Sequence, residues 1–190
     1  MTGNKVLHTI PLIGSQSFGI GPVALNFCQE QRELGLDSRI WCLDLDSLED
    51  RRFVAVTCNL PNACIQTFPR SWPNQLLYSR AMEKAAFSDV GRHISIVHQH
   101  GVWTGISRTT NIMRQRYETP SIVAPHGSLE RWALNKSMWK KRIALTLYEQ
   151  ENLRKAYCLH ACSHQEVDGF RDFGLSSPVA VIPNGIGMSW

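Results

Sequence analysis

The sequence predicts a doubly wound α/β fold, a Rossmann-like parallel sheet with helices on both faces. Two observations carry this. Short β-rich runs alternate with helical patterns of about 10 to 18 residues, the spacing of strand–helix–strand crossovers between parallel strands. The run ISIVH at Ile94 to His98 is apolar and β-branched rather than alternating, as a strand covered on both faces requires. The chain has 190 residues, 43% hydrophobic and 19% charged, enough to build one domain core, and this excludes disordered, collagen-like and coiled-coil classes.

Taken in order, Lys5 to Ile10 reads as the first strand. A loop leads to a helix over Pro22 to Leu34, where Val23, Phe27 and Leu34 mark an apolar face, Gly21 and Pro22 fit the start and Gly35 the stop. Ser38 to Leu43 reads as a strand, Asp44 to Cys58 as a charged irregular segment, and Ala63 to Phe68 as a strand closed by Pro69. Helical patterning over Asn74 to Ala86 precedes the strand Ile94 to His98. The cycle repeats as helix Ile106 to Tyr117, strand Ser121 to Ala124, helix Lys136 to Leu153, strand Tyr157 to Ala161, helix Ser163 to Phe173 and strand Val179 to Ile182. In such sheets ligands lie at the carboxyl ends of the strands, which directs attention to the loops Pro11–Gly21, Gln99–Thr104, Pro125–Glu130 and Pro183–Gly187.

Charge and cysteine content narrow the setting. Twenty Lys+Arg against 16 Asp+Glu give +4, scattered except over Lys136 to Arg142, so no nucleic-acid partner is expected. No run approaches the ~20 apolar residues of a membrane span, and Met1 to Gly14 lacks the apolar core of a signal peptide, so a cytoplasmic setting is expected. The six cysteines form no C-x-x-C pair and are expected to be reduced.

Gly19-Ile20-Gly21-Pro22-Val23-Ala24 matches the G-x-G-x-x-A dinucleotide pattern, with Asp44 twenty residues beyond it where a ribose-binding acid would lie. Against that, Pro11 to Phe18 separate the first strand from these glycines, and Pro22 stiffens the turn. A generic anion-friendly loop and a plain connection stay open beside the dinucleotide reading. By strand alternation His98 and His100 share a face, with His100 nearer the cleft and His98 a satisfied strand histidine. Pro125-His126-Gly127-Ser128 follows the next strand, so two strands deliver imidazoles to one rim, where a neutral ring can hydrogen-bond a hydroxyl or a phosphate oxygen. Cys158, His160, Cys162 and His164 mimic a zinc quartet, but ligands strung along a strand cannot converge, and Ser163 with Glu166 forms a capping box that starts a helix there. Lys136, Lys140, Lys141 and Arg142 among Trp132, Met138 and Trp139 suit either a solvated helix face or docking on an anionic membrane, with Ile143, Leu147 and Tyr148 read as a core stripe. No P-loop, HExxH or GxSxG is present.

HQHGVW at His98 to Trp103, APHGSLERWAL at Ala124 to Leu134, Lys140-Lys141 with YEQENL at Tyr148 to Leu153, and VIPNGI at Val181 to Ile186 occur in that order. Together they resemble the amino-terminal domain of the GT-B, family 4 (group 1) glycosyltransferases, particularly those building bacterial exopolysaccharides. The resemblance covers nearly the whole chain. It implies one half of a GT-B enzyme: residues 1–182 as the acceptor-side domain, residues 183–190 as the start of an interdomain linker, and a second, donor-binding domain that this chain does not contain, so that the chain alone is expected to be inactive.

The same resemblance implies transfer from a nucleotide-sugar, with retained configuration, to a glycan or lipid-linked glycan acceptor in polysaccharide biosynthesis. No cofactor or obligatory metal is implied, and the setting would be cytoplasmic or peripheral to the inner membrane face. His126 with Gly127 would lie near the transferred sugar, and His100 and Trp103 would shape the acceptor pocket. Gly14, Gly19 and Gly21 would approach the donor diphosphate or acceptor, although the family's paired glycines are replaced by Ser17-Phe18-Gly19-Ile20-Gly21, and Asn184 and Gly185 complete the binding set. Two other readings are carried forward, a nicotinamide-dependent oxidoreductase built on Gly19, Gly21 and Asp44, and a non-enzymatic α/β binding module.

Overall fold

The computed structural model describes residues 4–14, 17, 19–45, 47–135 and 138–185. Seven parallel strands form one sheet in the order β3-β2-β1-β4-β5-β6-β7. They are β1 (Lys5–Thr9), β2 (Asp37–Leu43), β3 (Ile65–Phe68), β4 (Ile96–His100), β5 (Ser121–Ala124), β6 (Cys158–Ala161) and β7 (Val179–Val181). Strand order reverses between β1 and β4, and there the loops on the carboxyl side part to leave a crevice.

Helices α1 (Ile20–Glu33), α2 (Leu48–Thr57), α3 (Arg80–Phe87), α4 (Asp89–Arg92) and α5 (Ile106–Tyr117) connect the first five strands. Beyond β5 come α6 (Arg131–Leu134), α7 (Met138–Ala144), α8 (Gln150–Arg154) and α9 (His164–Asp172). Strand alternation sorts the core. Leu7, Trp41, Leu43 and Val97 pack under α3 and α5 with Met82 and Met113, while Ile40 and Cys42 face Ala24, Leu25 and Cys28 of α1. A third cluster, Val123, Leu153, Leu159 and Phe170, closes the β5–β6 half. Full burial of a side chain such as Leu7 or Leu25 contributes about 2 kcal/mol.

Three local expectations are corrected. Asp44 to Cys58, read as irregular, contains α2, capped where Ser47 Oγ accepts from Asp50 N; none of its side chains is fully buried, so it lacks the apolar period that reveals a helix. The pattern over Asn74 to Ala86 is split by Leu77 at φ 47°, and α3 starts only after Ser79, whose hydroxyl caps Met82 N. The helix expected over Lys136 to Leu153 is continuous from Met138 to Arg154 but not uniformly wound: α7 widens into a π turn at Leu145–Glu149 before α8, and Lys136 itself lies outside the described residues.

Helix α1 begins two residues before the expected Pro22, with Gly19 at φ 87° as its cap residue. It ends as expected at Gly35, whose N–H reaches Arg32 O while Leu36 N–H reaches Gln31 O, the paired bonds of a Schellman stop. Ser163 Oγ caps Glu166 N as expected, but the Glu166 carboxylate accepts from Cys162 N rather than closing back on Ser163.

Candidate active site

The imidazoles of the candidate site stand on or beyond the α1 face of the sheet. His8 and His98 are in-register neighbours on β1 and β4, His100 follows on the same face, and His160 reaches over from β6. The ring of Phe27, from α1, lies within stacking or edge distance of His8, His98, His100 and His160. A face that sequence alone would fill with aliphatic side chains is thus tiled with imidazoles, and each must be satisfied by hydrogen bonds to be tolerated in the interior.

The bonds form two chains. Gln31 Oε1 accepts from Ser38 Oγ and lies 2.9 Å from His8 Nε2, so His8 carries its proton there. His8 Nδ1 is then an acceptor for His100 Nε2 at 2.9 Å, and His100 Nδ1 accepts from His126 Nε2 at 3.2 Å. Beyond it, Cys162 Sγ lies 3.5 Å from His126 Nδ1 and donates to Asn184 Oδ1 at 3.3 Å. In the second chain the Ile182 carbonyl, 2.9 Å from His160 Nε2, fixes that proton, and His160 Nδ1 accepts from His98 Nε2 at 3.2 Å. Burial keeps the rings neutral: it lowers His8 and His126 to about 4, helped for His126 by the neighbouring His160, and holds His98 and His100 well below the ordinary range.

His100 and His126 therefore meet at one lip, as their strand positions suggested. His126 and Gly127 are both left-handed, at φ 50° and 74°, and the chain turns sharply there through Ser128 N to Pro125 O. His100 lines a cavity of about 180 Å³ with Ile10, Ser17, Leu77, Thr104 and Ser128, and the buried Thr104 hydroxyl has no partner among the described residues. Gly19 and Gly21 lie at the first turn of α1: a Cβ on Gly21 would approach Ser17 Oγ to 2.2 Å and the Ile13 carbonyl to 2.9 Å, whereas Gly19 has open space and needs only its backbone freedom.

The other predicted residues are placed differently. Gly14 packs against Asp50 of α2, whose carboxylate an added Cβ would overlap. Trp103 is half-buried with its indole N–H donated to Ser128 O and its ring against Phe173, a fastener between loops. Gly185 borders a groove with Phe27 and Ile182, and Asn184 is tied to Cys162. His160 and Cys162, dismissed as zinc ligands along a strand, do turn to separate partners, and His164 is exposed on α9. Asp44 borders a separate hollow with Arg51 and Cys58, which none of the three site glycines lines.

Sequence reading missed His8, Gln31 and Glu149. His8 sits inside KVLHTI as the one polar ring in an apolar strand, and pairing its register with His98 would have exposed it. Glu149 is fully buried on the π turn, accepting from Trp103 N at 2.7 Å, Ser107 Oγ and Asn152 Nδ2. Burial lifts its carboxyl to about 7 against the opposing pull of these three donors.

Comparison with known proteins gives this geometry its family. The fold matches that of Anabaena Alr3699/HepE, solved with UDP-glucose, at a TM-score of 0.68 and 16% identity over 97% of this chain and 45% of that one. It also matches the sucrose-phosphate synthase of Thermosynechococcus elongatus, at 0.66 and 13% identity over 98% of this chain and 49% of that one. A UDP-N-acetylglucosamine 2-epimerase described as putative from Listeria monocytogenes follows at 0.64 and 12% identity, over 95% and 45%. This chain spans about half the length of these structures. No curated protein sequence matches it. The sequence model of the Glycosyl transferase 4-like domain covers residues 18–185, a match that lends no support to the oxidoreductase or binding-module readings, and the chain belongs to that glycosyltransferase family.

Proposed function

We propose that this chain is the acceptor-side half of a retaining glycosyltransferase that moves a sugar from a nucleotide-sugar to a glycan or lipid-linked glycan during polysaccharide assembly in the cytoplasm. One observation carries the reading: His126, on the loop after β5, and His100, at the end of β4 beside the switch point, have ring nitrogens 3.2 Å apart, and His100 lines a cavity whose Thr104 hydroxyl has no partner among the described residues. Residues 1–182 form the domain, and residues 183–190 begin the passage to a donor-binding partner domain. The half-length coverage of the matched structures supports this division, and the UDP-glucose held by one and the UDP-N-acetylglucosamine named for another support the donor class.

The chemistry follows from the imidazole. His126 is neutral with its proton on Nε2 toward His100, so Nδ1 is left to accept from a sugar hydroxyl that replaces the long contact to Cys162. A hydrogen-bond acceptor held at this lip orients a sugar hydroxyl for the reaction without reorganisation. Open space at Gly19 leaves room for an acceptor beside the first turn of α1.

Peripheral membrane contact fits the same role. Trp139, Ile143 and Leu147 recur every four residues, all more than half exposed, among Lys140, Lys141 and Arg142. Ile143 and Leu147 are thus not the core stripe the sequence suggested; only Tyr148 of that set is buried. Among the described residues no helix is long and apolar enough to cross a membrane.

The test is nucleoside diphosphate release by the complete gene product from a panel of nucleotide-sugars, with membrane glycolipid extract as acceptor. Acceptor-dependent release from one donor supports the reading. Hydride transfer to NAD⁺ with no release from any donor contradicts it.

A further inference from the structure

One ring nitrogen from each of His8, His98 and His100 lies within 4.8 Å of the others, and all three rings are buried. Nitrogens sharing one cation at ~2.0–2.1 Å stand roughly 3.3 Å apart in tetrahedral geometry, and the 2.9 Å between His8 Nδ1 and His100 Nε2 is close to that spacing. The tautomers suit ligation. Gln31 holds the His8 proton at Nε2 and leaves the Nδ1 lone pair directed at His100, the outer contact that orients a metal-binding imidazole. The Ile182–His160–His98 chain likewise holds the His98 proton at Nε2 and leaves its lone pair at Nδ1.

We propose that His8, His98 and His100 form a three-imidazole site for a borderline divalent transition cation of the zinc class, with a water completing the coordination. Such a set matches the ligand preferences of zinc, cobalt and nickel rather than magnesium or calcium, which take oxygen ligands.

Occupancy would reach His126 without any net change in protons. Unligated, His100 donates from Nε2 to His8 and accepts at Nδ1 from His126. A cation on His100 Nε2 displaces that proton to Nδ1, so His100 becomes the donor to His126 Nε2. The His126 proton then moves to Nδ1, from which it is donated to the Cys162 Sγ lone pair, while the thiol hydrogen stays on sulfur, directed at Asn184 Oδ1. The site is thus a setting for the tautomer of the lip histidine. Metal binding itself is independent of sugar transfer.

The experiment is titration of the chelator-stripped full chain with Co²⁺, read by its visible d–d absorption, and with Zn²⁺, read by equilibrium dialysis and metal analysis. One equivalent bound, lost in His98→Gln and weakened at least about tenfold in Gln31→Leu, is expected. His93→Ala and His164→Ala, outside the cluster, should bind as the parent does. If His98→Gln does not fold, ring-nitrogen NMR of the unaltered protein decides, because Zn²⁺ should move the His126 proton from Nε2 to Nδ1. Absence of a stoichiometric Co²⁺ band, retention of metal by folded His98→Gln, or an unchanged His126 tautomer at saturating Zn²⁺ overturns the proposal.

Discussion

Trp103 N–H donates to the Glu149 carboxylate at 2.7 Å, tying the loop that follows β4 to the π turn ahead of α8. Ser107 and Asn152 donate to the same carboxylate, so one buried acid fixes three segments around the cavity wall. Its folded pKa, raised to about 7, exceeds the unfolded value, so folded protein binds more protons in the window between them. Ionised Glu149 therefore costs stability above about pH 7, and the cost is relieved as pH falls toward 4.5. Glu149→Gln is expected to gain on the parent protein by on the order of 3 kcal/mol between pH 5 and pH 8.5. The buried histidines titrate alike in both proteins, so chemical denaturation of the pair at several pH values isolates the effect; a pH-independent difference would count against it.

Gly19 and Gly21 should fail for different reasons. Alanine at Gly19 meets open space and a left-handed backbone, costing about 1 kcal/mol. Alanine at Gly21 meets the Ser17 hydroxyl and the Ile13 carbonyl and should cost about 2–3 kcal/mol. Urea midpoints ordered parent, Gly19→Ala, Gly21→Ala are expected; a more stable Gly21→Ala than Gly19→Ala would show that Ser17 moves aside freely.

The exposed stripe on α7 and the turn beyond it should bind anionic vesicles. Replacing Trp139 and Leu147 by serine removes interfacial apolar surface without touching the core, so flotation with phosphatidylglycerol vesicles should fall severalfold while the melting temperature holds. Equal flotation with neutral and anionic vesicles would dismiss charge-assisted docking.

Much of this architecture was legible because parallel strands and helix stops leave local marks. The β-branched run ending at His98, Gly35 after α1 and the loops at His100 and His126 each declare themselves within a few residues. What was not legible depends on pairing across the chain. His8 joins the site only through its register with His98, Gln31 only through the packing of α1 on β1, and Glu149 only because contacts from Trp103 and Ser107 meet a widened turn. Helix α2 was hidden for the opposite reason, since a helix lying lightly on the surface needs no strong apolar period.

The central claim, that the imidazole lip is the chemical half of a sugar-transfer cleft, is tested most directly by the turnover of the complete gene product carrying His126→Ala. With circular dichroism showing a folded protein, kcat for nucleotide-sugar consumption should fall at least about tenfold, on the order expected for loss of one positioned hydrogen-bond partner. Undiminished kcat in that folded variant would contradict the claim.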